Sequence, residues 1–161
     1  MSTQGTLSPG ATAIHRKVEA CRAGQCPTLV TRVRSGWVVM GDEQIRCGYC
    51  LLLPDPVVAH LNELQGPLRT QFLTDMARLG DVLLAGTGAL RINYALYGNL
   101  EPALHAHVFP RYADEPEDER SAQPWALDWT RAPPYSEQAH GKLRAWLRAA
   151  LAEPPRVPGD R

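Results

Sequence analysis

One amphipathic helix in the middle of the chain constrains the fold more than any other feature. Gly66-Pro67 places a proline in its first turn, and apolar residues then recur at helical spacing: Leu68, Phe72, Met76, Leu79 and Leu83. Gly86 and Gly88 end the pattern. Such a stripe must be buried, and the flanking segments have the composition of strands. We therefore predict that this helix packs on a sheet.

Five segments have the β-branched or alternating composition of strands, namely residues 28–34, 36–41, 48–53, 89–97 and 103–109. Short helices are predicted from Thr12 to Gly24 and from Ser136 to Pro154, with Thr12 and Ser136 as their N-caps. Turn residues separate neighbouring strands closely enough for antiparallel pairing. The predicted fold class is α+β: a five-stranded antiparallel sheet, one long helix packed on it and shorter terminal helices.

The 161 residues suit one domain. We expect a flexible arm at 1–11, a single domain at 12–152 and a flexible tail at 153–161. Seventeen basic and seventeen acidic side chains cancel, which argues against a nucleic-acid polymer or a membrane as partner. No apolar stretch approaches the roughly 20 residues of a membrane span. We expect a cytoplasmic protein.

Four cysteines are spaced C-x4-C and C-x2-C, at Cys21, Cys26, Cys47 and Cys50. That spacing suits a zinc site. Cys50, however, opens an apolar run, and free cysteine commonly packs as a small hydrophobe. Core packing is the favoured interpretation, and zinc stays open.

Two histidines stand two residues apart, so on a strand His105 and His107 share one face. They admit three interpretations. A metal pair in a cupin-like protein would use Gly98 and Glu115 as well, but that barrel has no place for the long helix. In the second interpretation, both histidines have a structural role. The third is a nucleophilic imidazole, which is substantially neutral at pH 7 and can attack phosphorus.

The segment 93–112, NYALYGNLEPALHAHVFPRY, resembles the signature of the histidine triad superfamily, and bacterial members similar to dinucleoside polyphosphate hydrolases in particular. The likeness extends through Gly48–Pro54 and covers about residues 28–112. The motif of that family is His-x-His-x-His, with the middle histidine as nucleophile. His105 takes the middle position and His107 the last, while Ala103 replaces the first histidine.

The resemblance implies a nucleotide hydrolase or nucleotidyl transferase that cleaves nucleoside or dinucleoside polyphosphates, such as diadenosine polyphosphates, through a nucleotidyl-His105 intermediate. His107 would contact the phosphates, with substrate-binding roles for Asn93, Asn99 and Asp42. It further implies a homodimer without a metal site or required cofactor, a divalent cation entering only with the polyphosphate. A nucleotide-binding module with weak turnover is the alternative, and the cupin-like metal protein ranks third.

Three smaller expectations follow. Restoring the missing imidazole with Ala103→His should raise turnover if its loss limits the site. The acidic run 113–120 is predicted to form an exposed loop. The favoured interpretation of Trp125 and Trp129 is that they are packing residues, and contact with a nucleotide base is the alternative.

Overall fold

The structure, a computed structural model, describes residues 10–154. The predicted arm and tail therefore lie largely outside the described residues. The elements, in chain order, are α1 (Ala13–Arg22), β1 (Leu29–Val33), β2 (Gly36–Met40), β3 (Cys50–Pro54), α2 (Gly66–Thr87), β4 (Arg91–Ala95), β5 (Ala106–Arg111), α3 (Glu117–Arg120) and α4 (Glu137–Ala152). Short 3-10 turns lie at Leu61–Glu63, Pro124–Ala126 and Trp129–Arg131.

The five strands form one antiparallel sheet in the order β1-β2-β3-β5-β4. Helices α2 and α4 pack on one face of it, where Phe72, Leu79, Leu83 and Leu147 meet the strand residues Val38, Leu52, Ala106 and Val108. The predicted α+β fold is confirmed. The cupin-like alternative is wrong, because it requires a double-stranded jelly roll rather than a single sheet with helices on it.

Two predicted boundaries moved for identifiable reasons. The last strand begins at Ala106 rather than at residue 103, since the Leu104 N–H donates to the carbonyl of Val58 at 2.8 Å instead of joining the ladder. Leu68, predicted on the buried stripe, is 66% exposed. It lies in the first turn of α2, before the helix reaches the sheet, and the buried positions begin at Phe72.

Helix α1 covers part of the opposite sheet face. The Thr12 hydroxyl accepts from the N–H of His15 and caps the helix, as the sequence predicts. Buried Ile14, Val18 and Cys21 then pack on residues that include Val39 and Leu53. The rest of that sheet face is not covered by α1.

Core packing accounts for three of the four cysteines, because Cys21, Cys26 and Cys50 are buried and Cys47 is exposed. Within residues 10–154, no group of three or more histidine, cysteine or acidic side chains is arranged to hold a metal ion. None of the helices in that range is both long enough and apolar enough to cross a membrane.

Candidate active site

The two histidines of the motif lie on the sheet face opposite α2. His107 pairs across the ladder with Leu51 of β3 and Ala95 of β4, and directly paired residues share a face. Leu51 packs against the cluster beneath α1. His105 immediately precedes β5, and its ring centroid is 4.7 Å from that of His107. The predicted shared face is therefore observed.

The ring of His105 is oriented by its own backbone. Nδ1 lies 2.7 Å from the carbonyl oxygen of Ala103, an acceptor only, so Nδ1 carries the proton and donates. The lone pair is then on Nε2. A buried imidazole held in this tautomer has the arrangement that a nucleophile requires.

His107 is held in the opposite tautomer. The Tyr49 hydroxyl lies 2.7 Å from its Nδ1. Burial raises the pKa of the Tyr49 phenol, so this hydroxyl keeps its proton and donates it. Nε2 of His107 therefore carries hydrogen. Burial, with a contribution from nearby His105, lowers the pKa of His107 to about 4, which leaves it a neutral hydrogen-bond donor at pH 7.

Tyr49 is a site residue that the sequence reading missed. Its ring stacks on Phe109 with centroids 4.2 Å apart, and it rests against Gly41, where an added Cβ would come within 2.3 Å of the ring. A glycine is thus required for this close approach. Tyr49 sits 58 positions before His107, and only the pairing of β3 with β5 brings the two together.

Removing the Tyr49 hydroxyl should release His107 from its single tautomer, because that hydroxyl is the donor to its Nδ1. For the hydrolase proposed below, we expect Tyr49→Phe to lower turnover by about 10- to 100-fold, the range typical of removing the outer hydrogen-bond partner of a metal-bound histidine. Nitrogen NMR of the His107 ring should show mixed tautomers, with an unchanged melting temperature. Tyr135→Phe is the matched control, because it removes a hydroxyl that bonds Glu137 and Arg144 instead of a histidine. Equal activities in the two variants would contradict this role.

An aromatic cluster continues the site beyond His107. Trp125 meets the rings of His107 and Tyr97 edge-on, each at 4.7 Å, and Phe109 at 5.3 Å. Trp129 packs edge-on against Tyr49 and donates from its indole nitrogen to the Pro124 carbonyl at 2.9 Å. Trp129 therefore packs as predicted. Trp125 remains 42% exposed beside the histidines.

Arg111 anchors the segment that carries these tryptophans. It is buried with Glu115, to which its Nε and Nη2 donate at 2.7 to 3.2 Å. Nη1 donates to Asn93 Oδ1 at 3.0 Å and to the Ala122 carbonyl at 2.9 Å. The expectation that residues 113–120 form an exposed loop is wrong in two respects. Glu117–Arg120 form helix α3, and Glu115 is buried against an arginine that the local sequence does not reveal.

The acid stability of the fold should depend on Glu115. Burial alone would raise its pKa, but hydrogen bonds from Arg111, Arg46 and the Tyr112 N–H lower it from 4.5 to about 2. The folded-state pKa lies below the unfolded one, so the stabilisation is present above about pH 4.5 and is lost as pH falls towards 2. Urea unfolding between pH 7 and 3 should show a flatter profile for Glu115→Gln than for the wild type. The exposed Glu117→Gln, on α3, should retain the wild-type profile.

The three substrate-binding residues predicted from the sequence occupy different settings. The side chain of Asn93 accepts a hydrogen bond from Arg111 and supports that network. Asn99 is exposed in the β4–β5 loop, outside the side-chain hydrogen bonds found within residues 10–154. The Asp42 carboxylate accepts from Lys17 Nζ at 2.5 and 2.6 Å and is 71% exposed. Substrate contact by all three stays a prediction.

Ala103 lies under α1 rather than in an open site. It is 1% exposed and belongs to the cluster of Ile14, Val18 and Leu53. An imidazole placed here would have to displace that packing, and overpacking a core typically costs about 1–3 kcal/mol. We therefore expect Ala103→His to lower the melting temperature instead of raising turnover, in contrast to the expectation from the sequence. A stable and faster variant would contradict this.

The fold of this chain resembles those of several solved structures. No family model matches the chain, and no curated protein matches it. A histidine triad protein from Marinobacter aquaeolei superposes with a TM-score of 0.68 at 20% identity, covering 88% of this chain and 97% of that one. The chain has the histidine triad fold. At this identity the likeness concerns the fold alone.

Two further structures share the histidine triad fold with this chain. A histidine triad protein from Bradyrhizobium japonicum has a TM-score of 0.66 at 18% identity, with 81% of this chain and 94% of that chain covered. A hypothetical histidine triad nucleotide-binding protein from Sulfolobus tokodaii has a TM-score of 0.66 at 11% identity, with 84% and 91% covered. Because 81% to 88% of this chain is covered in the three comparisons, the histidine triad fold accounts for most of the described domain.

Proposed function

We propose that this protein is a nucleotide hydrolase that cleaves nucleoside or dinucleoside polyphosphates at the α-phosphorus through a nucleotidyl-histidine intermediate. The observation that carries the proposal is the complementary pair of tautomers. His105 presents a bare Nε2, because its Nδ1 donates to the Ala103 carbonyl, and His107 presents an Nε2–H. One imidazole is thus suited to attack phosphorus and its neighbour to hydrogen-bond a phosphoryl oxygen.

The proposed reaction has two steps. Nε2 of His105 forms a bond to the α-phosphorus while the P–O bond to the leaving phosphate breaks, and that electron pair departs with the oxygen. The imidazole becomes cationic, and its Nδ1–H faces the Ala103 carbonyl, which favours that charge. Water then attacks phosphorus, the P–N bond breaks with its electron pair returning to Nε2, and a water proton passes to solvent. A nucleoside monophosphate is released.

The site favours acid anhydrides as substrates. At pH 7 His107 is neutral and donates a hydrogen bond without surrendering a proton, since its pKa is lowered by burial to about 4. Ala103 stands at the position of the family's first histidine and has no proton to give to a leaving group. A leaving group must therefore depart as an anion, which suits a polyphosphate and disfavours the amine of a phosphoramidate. The polyphosphate would bring its own Mg²⁺ as part of the substrate.

Incubation with a panel of substrates tests the proposal. Diadenosine tetraphosphate and ATP should yield AMP, whereas an adenosine phosphoramidate should react far more slowly. Rapid quenching should trap an acid-labile adenylyl group on His105. Absence of product from every substrate would reject the hydrolase and favour the nucleotide-binding module, for which the apolar Ala103 in place of an imidazole is the supporting observation. That module would still show nucleotide-dependent thermal stabilisation.

We also propose that the protein acts as a homodimer joined through β4. This strand is at one edge of the sheet, so its outer hydrogen-bonding groups lack a ladder partner within the described domain. Leu90, Tyr94 and Leu96 on or beside it are exposed, and an exposed apolar sheet edge favours pairing with another chain. Light scattering over a concentration series should give twice the chain mass, and a monomer at every concentration would reject the dimer.

A further inference from the structure

Cys21 and Cys26 carry two thiols that the proposed chemistry does not use. Both side chains are buried, in the cluster that also contains Val18 and Leu53. The four residues between them, 22–25, are all exposed. Two buried sulfurs therefore flank one exposed turn.

That turn is a Schellman motif, which brings the second cysteine back to the first. Gly24 has left-handed backbone angles, with a φ of 69°. The Gln25 N–H donates to the Ala20 carbonyl at 2.8 Å, and the Gly24 N–H donates to the Cys21 carbonyl at 3.1 Å. The motif reverses the direction of the chain. Cys26, the next residue, consequently returns to the buried side of the last turn of α1, which carries Cys21.

The two thiols are hydrogen-bonded to each other and differ in acidity. The Cys21 thiol donates to the Cys26 sulfur, and this bond is the largest cause that lowers the pKa of Cys26 to about 6. The Thr28 hydroxyl, 3.5 Å from that sulfur, and the charge of Lys17 lower the pKa further, against the effect of burial. The same bond raises the pKa of Cys21, which is the proton donor. At pH 7 Cys26 is therefore a thiolate and Cys21 a thiol.

Cys26 is also the more accessible of the two sulfurs. Its side chain is 9% exposed and lies between the exposed residues Gln25 and Pro27, whereas Cys21 is 2% exposed. A thiol whose pKa is near the ambient pH attacks a disulfide fastest. Acidity and access thus assign the first attack to Cys26 and leave Cys21 as the thiol that resolves the mixed disulfide.

We propose that Cys21 and Cys26 form a redox-active dithiol, which a low-molecular-weight disulfide such as glutathione disulfide oxidises to a Cys21–Cys26 disulfide. The Cys26 thiolate attacks one sulfur of the small disulfide, whose S–S bond breaks, and one small thiolate leaves. Cys21 then loses its proton to solvent, and its sulfur attacks that of Cys26 and releases the second small thiolate. Two protein thiols are oxidised and the small disulfide is reduced to two thiols. This proposal is independent of the hydrolase.

The other two cysteines provide an internal contrast. Cys50 opens β3 and is fully buried, and burial raises the pKa of both Cys47 and Cys50. Neither is a thiolate at pH 7, so the C-x2-C pair should resist the same oxidant. The difference between the two pairs comes from their surroundings, since both have short spacing in the sequence.

Oxidation should fix the end of α1 to the segment that enters β1. A crosslink between sulfurs already in contact mainly restricts the unfolded chain, so the melting temperature should rise by about 4–8 °C. Ala103, whose carbonyl accepts from His105, belongs to the same cluster. Because the crosslink fits the existing packing, the tautomer of His105 should be unchanged in the oxidised protein.

Mass spectrometry after exposure of the folded protein to glutathione disulfide tests the proposal. The Cys47→Ser variant removes the exposed thiol and its side reactions. Trypsin cleaves after Arg22, between the two cysteines, so a Cys21–Cys26 disulfide should join peptides 18–22 and 23–32 until a reductant separates them. In the same background, Cys21→Ser should retain glutathione on Cys26. Cys26→Ser, the matched control, should take up little glutathione on Cys21.

Three results would overturn the dithiol. The first is that Cys21 and Cys26 remain free after equilibration with the oxidant. The second is a disulfide that joins Cys50 to either of them. The third is zinc bound at one ion per chain in the purified protein and protecting both thiols, which would make the pair part of a metal site. An oxidised protein that melts at the same or a lower temperature than the reduced one would overturn the fixing of α1.

Discussion

Replacing His105 with asparagine should reduce the proposed cleavage of diadenosine tetraphosphate at least about 10³-fold, because it removes the imidazole that we propose forms the bond to phosphorus. Asparagine is similar in size up to its amide, and its nitrogen can donate to the Ala103 carbonyl in place of Nδ1. The melting temperature should therefore remain near that of the wild type. Steady-state kinetics and thermal unfolding of the same preparations measure both effects.

His60→Asn provides the control for this change. The His60 side chain is 62% exposed, and its described side-chain contact is with Glu63. Its replacement should alter neither turnover nor adduct formation. Full activity of His105→Asn would show that the reaction uses another nucleophile. If activity and melting temperature both fall, nucleotide binding distinguishes the two causes, because a folded but inactive variant still binds nucleotide and an unfolded one does not.

Replacing Arg111 with methionine should destabilise the fold by about 3–5 kcal/mol, the usual cost of removing one partner of a buried ion pair. The change removes the closest cation from the buried Glu115 carboxylate, which keeps only Arg46 and the Tyr112 N–H as partners, and it leaves the Ala122 and Glu119 carbonyls without their donor. Urea unfolding at pH 7 measures the loss. Because Arg111 also anchors the segment carrying Trp125, tryptophan fluorescence of the native state should change as well.

Arg91→Met is the matched control for Arg111→Met. Arg91 is the direct cross-strand partner of Arg111 on β4, but it is exposed and outside the side-chain hydrogen bonds found within residues 10–154. Its loss should change the unfolding free energy by less than about 0.5 kcal/mol. Pairing Arg111→Met with Glu115→Leu should recover part of the stability, because the buried Glu115 carboxylate is removed together with its arginine and Arg46 keeps Glu119 as a partner. Similar losses in Arg111→Met and Arg91→Met would contradict a stabilising network.

Local patterns were sufficient for most of the fold. The spacing of Phe72, Leu79 and Leu83 predicts a helix with a buried stripe, and the structure has it at α2. Thr12 and Ser136 were predicted as helix caps and are caps. These features depend on neighbours within one or two turns. The start of β5 could not be predicted, since it depends on the hydrogen bond from Leu104 to distant Val58.

The sequence by itself determined the α+β class, the five strands and the shared face of His105 and His107, because alternation and helical spacing are local properties of the chain. Only the tertiary structure decided which hydrogen-bond partners and neighbouring rings those histidines have. Tyr49, Arg111 and Trp125 reach the site through strand register and long-range hydrogen bonds, which no local pattern encodes. The same is true of Ala103, whose burial beneath α1 was set by packing between distant segments.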